Sequence, residues 1–192
     1  AIKITVCAYR PWIRDSRITP VDSARPGASG YSFPSGHTAK AMAVWGGLAV
    51  YDFKRNKPIA SFLLLIILVV GFSRNYLGVH TPQDVIVSLI LGGFILYSTY
   101  YLLIWADKKR GRDWITAGSI TLASILLVFY AKNKSYPLDY IDGQLLVNPQ
   151  QMINGCFRGC GGIIGLAYGW VLDRKLIHYN ETRGTWQTKL YR

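Results

Sequence analysis

Five apolar stretches, roughly residues 38–53, 59–72, 85–106, 114–131 and 152–172, leave little of this 192-residue chain for anything else. The second of them, ASFLLLIILVVGF, is apolar on every side. A helix of that kind must be surrounded by protein or lipid all round. One such stretch is compatible with the core of a soluble protein; five in so short a chain point to a membrane. The third and fifth reach the length of about 20 residues that crosses a bilayer. The hydrophobic fraction is 51% while the formal net charge is +12. A soluble basic protein such as a nucleic-acid binder is normally poorer in apolar residues. A multi-pass membrane protein reconciles the two, because its charges gather in short loops.

The charges do gather. Lys54, Arg55 and Lys57 separate the first two stretches, and Lys108, Lys109, Arg110 and Arg112 separate the third and fourth. Arg174, Lys175, Arg183, Lys189 and Arg192 follow the fifth. If the chain crosses with each stretch, these groups share one side, and the positive-inside rule makes that side cytoplasmic. The opposite side then carries residues 9–37, 73–84 and 132–151. Charge confined in this way argues against nucleic acid as a partner. Within the fifth stretch, Gly155, Gly159, Gly161, Gly162, Gly165 and Gly169 form a smooth stripe, expected to pack against another helix or else to line a substrate groove. Arg158 is expected to snorkel to the interface, the other possibility being an anionic head group. The spacing of Cys7, Cys156 and Cys160 suggests neither a disulfide framework nor a zinc site.

Three polar clusters fall on the side opposite the basic loops. KITVCAYRPWIRD holds Lys3 and Arg10, with Pro11 stiffening the segment after them. YSFPSGHTAKAMAVWG puts Ser35, Gly36 and His37 at the start of an apolar helix, where free N–H groups and the helix dipole favour an anion. Read locally, Ser35 is also an ordinary N-cap. GFSRNYLGVHTPQDVIVS holds Arg74, His80 and Asp84. Thr81-Pro82-Gln83-Asp84 is a helix start, with Thr81 as cap and Asp84 as a capping carboxylate. Asp84 can also accept the proton of one His80 nitrogen and leave the other free to attack. Arg74 offers a planar fork of donors suited to phosphate oxygens. Phosphoryl transfer needs this kind of set: cations and donors around the equatorial oxygens, an in-line nucleophile and an acid for the leaving oxygen. No acidic cluster suggests a metal.

In order and without substitution, the three clusters match the signatures K-x6-RP, PSGH and SR-x5-H-x3-D, from Lys3 to Pro11, Pro34 to His37 and Ser73 to Asp84. The chain therefore resembles the type 2 phosphatidic acid phosphatases (PAP2) of the lipid phosphatase and haloperoxidase superfamily. The resemblance covers residues 3–84. It implies an all-α, multi-pass transmembrane bundle and an enzyme that hydrolyses lipid phosphate monoesters or pyrophosphates through a phosphohistidine, with no cofactor and no metal. His80 would be the nucleophile, oriented by Asp84, and His37 the acid. Lys3, Arg10, Ser35, Gly36 and Arg74 would hold the phosphate. Membrane members generally have six core helices with the first signature after the third, so this chain would hold the fourth to sixth, with their predecessors missing.

On this reading residues 1–106 are the catalytic region with three transmembrane helices. Residues 107–192 add two more and a basic cytoplasmic tail. The expected location is the cell membrane, with the site on the extracytoplasmic face. The expected substrate is of the undecaprenyl pyrophosphate, phosphatidylglycerophosphate or phosphatidate type; the signatures bind the phosphate common to all and do not select among them. Competing readings are a non-catalytic lipid-phosphate binder that kept the pocket and, against the apolar stretches, a vanadate-dependent haloperoxidase.

Overall fold

A computed structural model describes residues 1–141 and 143–177. The sequence-predicted tail cations Arg183, Lys189 and Arg192 lie outside the described residues.

The long helices follow the apolar stretches. α5 (Lys57–Tyr76), α6 (Pro82–Asp107) and α7 (Arg112–Asn133) are each long and apolar enough to cross a membrane. Their outer surfaces carry Phe62, Leu65, Leu68, Phe72, Ile90, Phe94, Ile125, Leu126 and Phe129, all exposed. Side chains of this kind, turned outward along whole helices, are stable against lipid and not against water. The second stretch, short in sequence, gains length from flanking residues and becomes the 20-residue α5. α8 (Pro149–Leu172) is 24 residues long, as the fifth stretch predicted, but it is not among the three helices apolar enough to span. Arg158, the polar first turns and the many glycines all dilute its apolar character.

The first stretch is not a uniform α-helix. α3 (Gly36–Ala41) runs through a widened π turn at Met42–Gly46 into α4 (Gly47–Asp52). The π turn coincides with a very close approach to α6: a Cβ added to Gly92 would lie 2.6 Å from Met42 Cγ, and one added to Gly46 would lie 2.7 Å from Leu96 Cδ1. A third contact of this kind joins α5 and α6, where a Cβ on Gly71 would meet Val85 Cγ1 at 2.9 Å. Small residues thus let the backbones of α3, α5 and α6 draw together, as helix contacts in a membrane require. Elsewhere α4 and α5 join through Ala49, Ala60 and Leu63.

α7 and α8 form an antiparallel hairpin around Ala117, Ala167 and Val171. The α8 glycines do not make this contact. Each has open space where a Cβ would stand, and the packed face is Cys160, Ala167 and Val171. The expected helix-packing role of the stripe is thus corrected within the described residues: the buried side chains fall on another face of the helix. Arg158 is exposed. A short antiparallel ladder, β1 (Tyr140–Ile141) and β2 (Gln144–Leu145), lies between α7 and α8.

The alternation sorts charge to the two ends of the bundle. At one end Arg174 pairs with Asp107, and Lys175 Nζ lies 2.9 Å from Asp113 Oδ2. Arg112 stacks over Trp105 and Arg174 over Trp170. The other end gathers α1 (Ile2–Val6), α2 (Pro11–Arg14), the start of α3 and the turn from α5 to α6. All three polar clusters meet there.

Candidate active site

His80 is placed by a turn and a helix start. Gly78 adopts φ +68, a left-handed conformation that side chains disfavour, and a Cβ there would also press on Pro20 Cα at 3.1 Å. After this turn Val79 N–H and His80 N–H both bond to Arg74 O, at 3.2 and 3.3 Å. Asn75, with its amide nitrogen facing inward, donates to His80 O and Thr81 O at 3.1 Å each. Thr81 then caps α6. Its hydroxyl accepts from Asp84 N–H at 3.3 Å, and its own N–H donates to Asp84 Oδ2 at 3.0 Å. The capping box read from the sequence is therefore present, and it holds the carboxylate in place.

The same oxygen serves the imidazole. His80 Nδ1 lies 3.1 Å from Asp84 Oδ2, and both residues are 4% exposed. The capping contacts of Asp84 and its contact with the imidazole coexist. The opposite ring nitrogen settles the tautomer: Arg10 Nη1, which can only donate, lies 2.9 Å from His80 Nε2. Nε2 therefore carries the lone pair, and Nδ1–H points at the aspartate. Burial pushes the His80 pKa below its usual range, the Asp84 hydrogen bond opposes this, and Arg10 and Lys3 add to the lowering. The ring is neutral at pH 7.

Arg10 is itself buried, with 5% exposure, and braced by Nε–H to Gly30 O at 2.8 Å and Nη1–H to Val79 O at 2.9 Å. Burial lowers its pKa to about 10, against the pull of Asp84, which leaves it charged.

Arg10, His37, Arg74 and His80 together line one cavity of about 180 Å³, whose lining also includes Ser23, Ala24 and Gly27 from the segment after α2. The two histidines and two arginines picked from the sequence thus meet around one small volume. His37 stands exposed in the first turn of α3. Partial desolvation of its ring against the cavity wall and then the charges of Arg74, Lys40, Arg10 and Lys3 hold its pKa below the usual range, so it too is neutral while the cavity holds no anion.

Lys3, Ser35 and Gly36 stand slightly apart. They line the head of a neighbouring, mainly apolar groove of about 400 Å³ that continues along Leu91, Ile95 and Leu96 of α6. Lys3 Nζ donates to Tyr31 O at 2.8 Å. Burial and Arg10 bring its pKa down to about 8, partly offset by Asp84. Ser35, wholly buried, is the N-cap of α3, its Oγ accepting from Thr38 Oγ1 at 2.9 Å. Gly36 has open space where a Cβ would stand.

Ser32 was not picked out from the sequence and belongs to the network. Its Oγ–H donates to Asp84 Oδ2 at 2.5 Å and lies 3.3 Å from His80 Nδ1, with 2% exposure. The only signal in the sequence was its place two residues before Pro34. Ser88 ties the same elements together, donating to Ser35 O at 3.0 Å and Asp84 O at 2.7 Å, while Ser35 N–H donates to Asp84 O at 3.1 Å.

The family model of the PAP2 superfamily matches residues 1–108. The chain belongs to that superfamily. Its helical, membrane-integral architecture is that of the PAP2 proteins. Similar curated PAP2 proteins include an undecaprenyl-diphosphatase of Bacillus subtilis, 37% identical over 38% of this chain and 37% of its own length. Lipid A 4′-phosphatase of Bacteroides thetaiotaomicron is 32% identical over 51% of this chain and 49% of its own length. Phosphatidylglycerophosphatase B of Bacillus subtilis is 33% identical over 54% and 51%. The chain thus spans about half the length, or less, of these relatives. No solved structure matches it.

Proposed function

We propose that this chain carries the catalytic site of an integral membrane phosphatase that hydrolyses lipid phosphates through a phosphohistidine. The observation that carries the reading is the state of His80: neutral, its Nδ1–H held by Asp84, its Nε2 lone pair turned toward the cation that a phosphate would attract.

A phosphate dianion in the cavity lies between Arg10 and Arg74, and Arg10 transfers its Nη1 donor from His80 to an equatorial oxygen. His80 Nε2 then attacks phosphorus as the bond to the leaving oxygen breaks. The imidazole becomes a cation, which Asp84 stabilises through Nδ1–H. His37 gives the leaving oxygen its proton. It acquires that proton because the bound dianion raises its pKa from the depressed value of the empty cavity. In the second half, His37 removes a proton from water as the hydroxide forms a bond to phosphorus. The P–N bond breaks, its electrons return to Nε2, and inorganic phosphate leaves. Fixed cations perform the charge neutralisation that a metal provides elsewhere.

The apolar groove supports a lipid substrate. It opens at Lys3, Ser35 and Gly36, beside the acid, and descends along the membrane-spanning α6, which suits the hydrocarbon chain of the leaving alcohol or of a lipid monophosphate. Relatives named for undecaprenyl diphosphate and for phosphatidylglycerophosphate support counting both lipids among the substrates. The clustering of Lys54, Arg55 and Lys108–Arg112 at the opposite end supports an extracytoplasmic site.

The test is phosphate release in detergent, with chelator present, from a panel of lipid mono- and diphosphates. Turnover is expected without added metal, with inhibition by vanadate, and His80→Ala is expected to abolish it. Near-normal rates in His80→Ala would end the nucleophile assignment. Cysteines placed between positions 74 and 80 are expected to react with an impermeant reagent on intact cells; labelling confined to positions 108–112 would invert the topology.

A further inference from the structure

The family match ends at residue 108, yet the helical hairpin beyond it returns to the catalytic end and grips the first signature. Lys134, the residue after α7, donates through Nζ to Ile4 O and to Thr5 O, each at 2.7 Å. These are carbonyls at the C-terminal end of α1, the short helix that bears Lys3. Carbonyls there have few helical partners, and an ammonium is the natural complement of a helix C-terminus. Tyr130 hydroxyl adds a bond to Thr5 Oγ1 at 3.2 Å. Further along, Tyr9 donates to Asp139 Oδ2 at 2.5 Å, next to Arg10 in the chain. Met152 of α8 closes on Gly30, where an added Cβ would lie 2.7 Å from its Cε, and Gly30 O is the carbonyl that braces Arg10.

A five-residue helix cannot hold its own place, since helices so short are unstable in isolation. The position of the Lys3 ammonium is therefore set by what α1 touches. Its own bond to Tyr31 O fixes one end of the side chain; the helix beneath it is fixed by Lys134. We infer that Lys134 is a positioning residue: it locks α1 so that Lys3 reaches the bound phosphate, and the hairpin of α7 and α8 is an accessory clamp on the first signature. This rests on the reading of Lys3 as a phosphate-holding group.

The experiment is a double-mutant cycle on the purified protein, with dioctanoyl phosphatidate as substrate and vanadate as inhibitor. Lys134→Met is expected to lower kcat/KM about tenfold, mainly through KM, and to weaken vanadate inhibition in parallel. Lys134→Arg is expected to recover most of the loss, because a guanidinium can still serve both carbonyls. With Lys3→Met already present, Lys134→Met is expected to cost less than about threefold more. Equal losses in both backgrounds, or wild-type kinetics for Lys134→Met, would overturn the inference. Unchanged kinetics for Lys3→Met alone would instead remove the assignment of Lys3. Should Lys134→Met not accumulate, Lys134→Gln and Tyr130→Phe carry the same cycle with the same criteria.

Discussion

Asp84 and Asp113 are buried in the first turns of successive antiparallel helices, at opposite ends of the bundle, and their local roles are alike. Each accepts backbone N–H at a helix start: Asp84 from Thr81 at 3.0 Å, Asp113 from Trp114 at 3.0 Å. The partners differ. Asp113 faces the ammonium of Lys175, and the pair fastens α7 to the turn that follows α8. Asp84 faces an imidazole whose far nitrogen looks into a cavity lined by cations. A carboxylate in a capping position acquires chemistry from the group it faces, and the helix geometry alone does not distinguish the two cases.

The sharpest way to break the comparison is to neutralise both carboxylates. Asp84→Asn is expected to lower kcat by about 10³–10⁴-fold, the scale seen when the orienting acid of a triad is removed. Asp113→Asn is expected to lower the melting temperature in detergent while leaving kcat close to wild type. Phosphate-release kinetics with a thermal melt on each variant decides it; equal kinetic losses would erase the distinction. Ser32→Ala deletes one of the bonds to Asp84 Oδ2 and the 3.3 Å contact of the same hydroxyl with His80 Nδ1, and a loss of about tenfold in kcat is expected, on the order of 1.4 kcal/mol.

Proton linkage gives a smaller signal of definite sign. His37 and His80 are both held below the usual imidazole range in the folded protein, so the unfolded chain binds more protons at these two positions just below that range. Without ligand, stability should fall as pH drops below about 6.5. Anion binding works the other way, since a dianion in the cavity favours protonated His37. Affinity for sulfate, which does not titrate in this range, should rise by at most about tenfold per unit as pH falls, and His37→Gln should flatten that slope. Ligand-dependent melts across pH 5–8 measure both. The smallest effect belongs to the basic end: Arg174→Ala breaks the exposed pair with Asp107 and should change kcat by less than about twofold.

The long helices were legible because the physics that forms them is local: a run of apolar residues needs no partner to declare itself. The capping box and the His80–Asp84 spacing were legible for the same reason, as both lie within one turn. What the sequence concealed was contact across the chain. Ser32 reaches an aspartate 52 positions away, and Lys134 reaches Ile4 across 130. No periodicity marks such pairs. The π turn at Met42–Gly46, which packs against Gly92 of α6, had no local mark either. The stripe on α8 was legible as a face of small residues, but spacing does not say what packs on it, and among the described residues nothing does.

The fit of Met42 against Gly92, with the Ser35 and Ser88 bonds at the head of the same two helices, makes α3 and α6 a single rigid joint. One imidazole rides on one arm of that joint and the other sits at the root of the second. The gap between them behaves like a caliper of fixed span, since close-packed contacts resist stretching far more than loops do. Any change in the width of the cavity must then come from the lining contributed by Ser23, Ala24 and Gly27, and not from the arms.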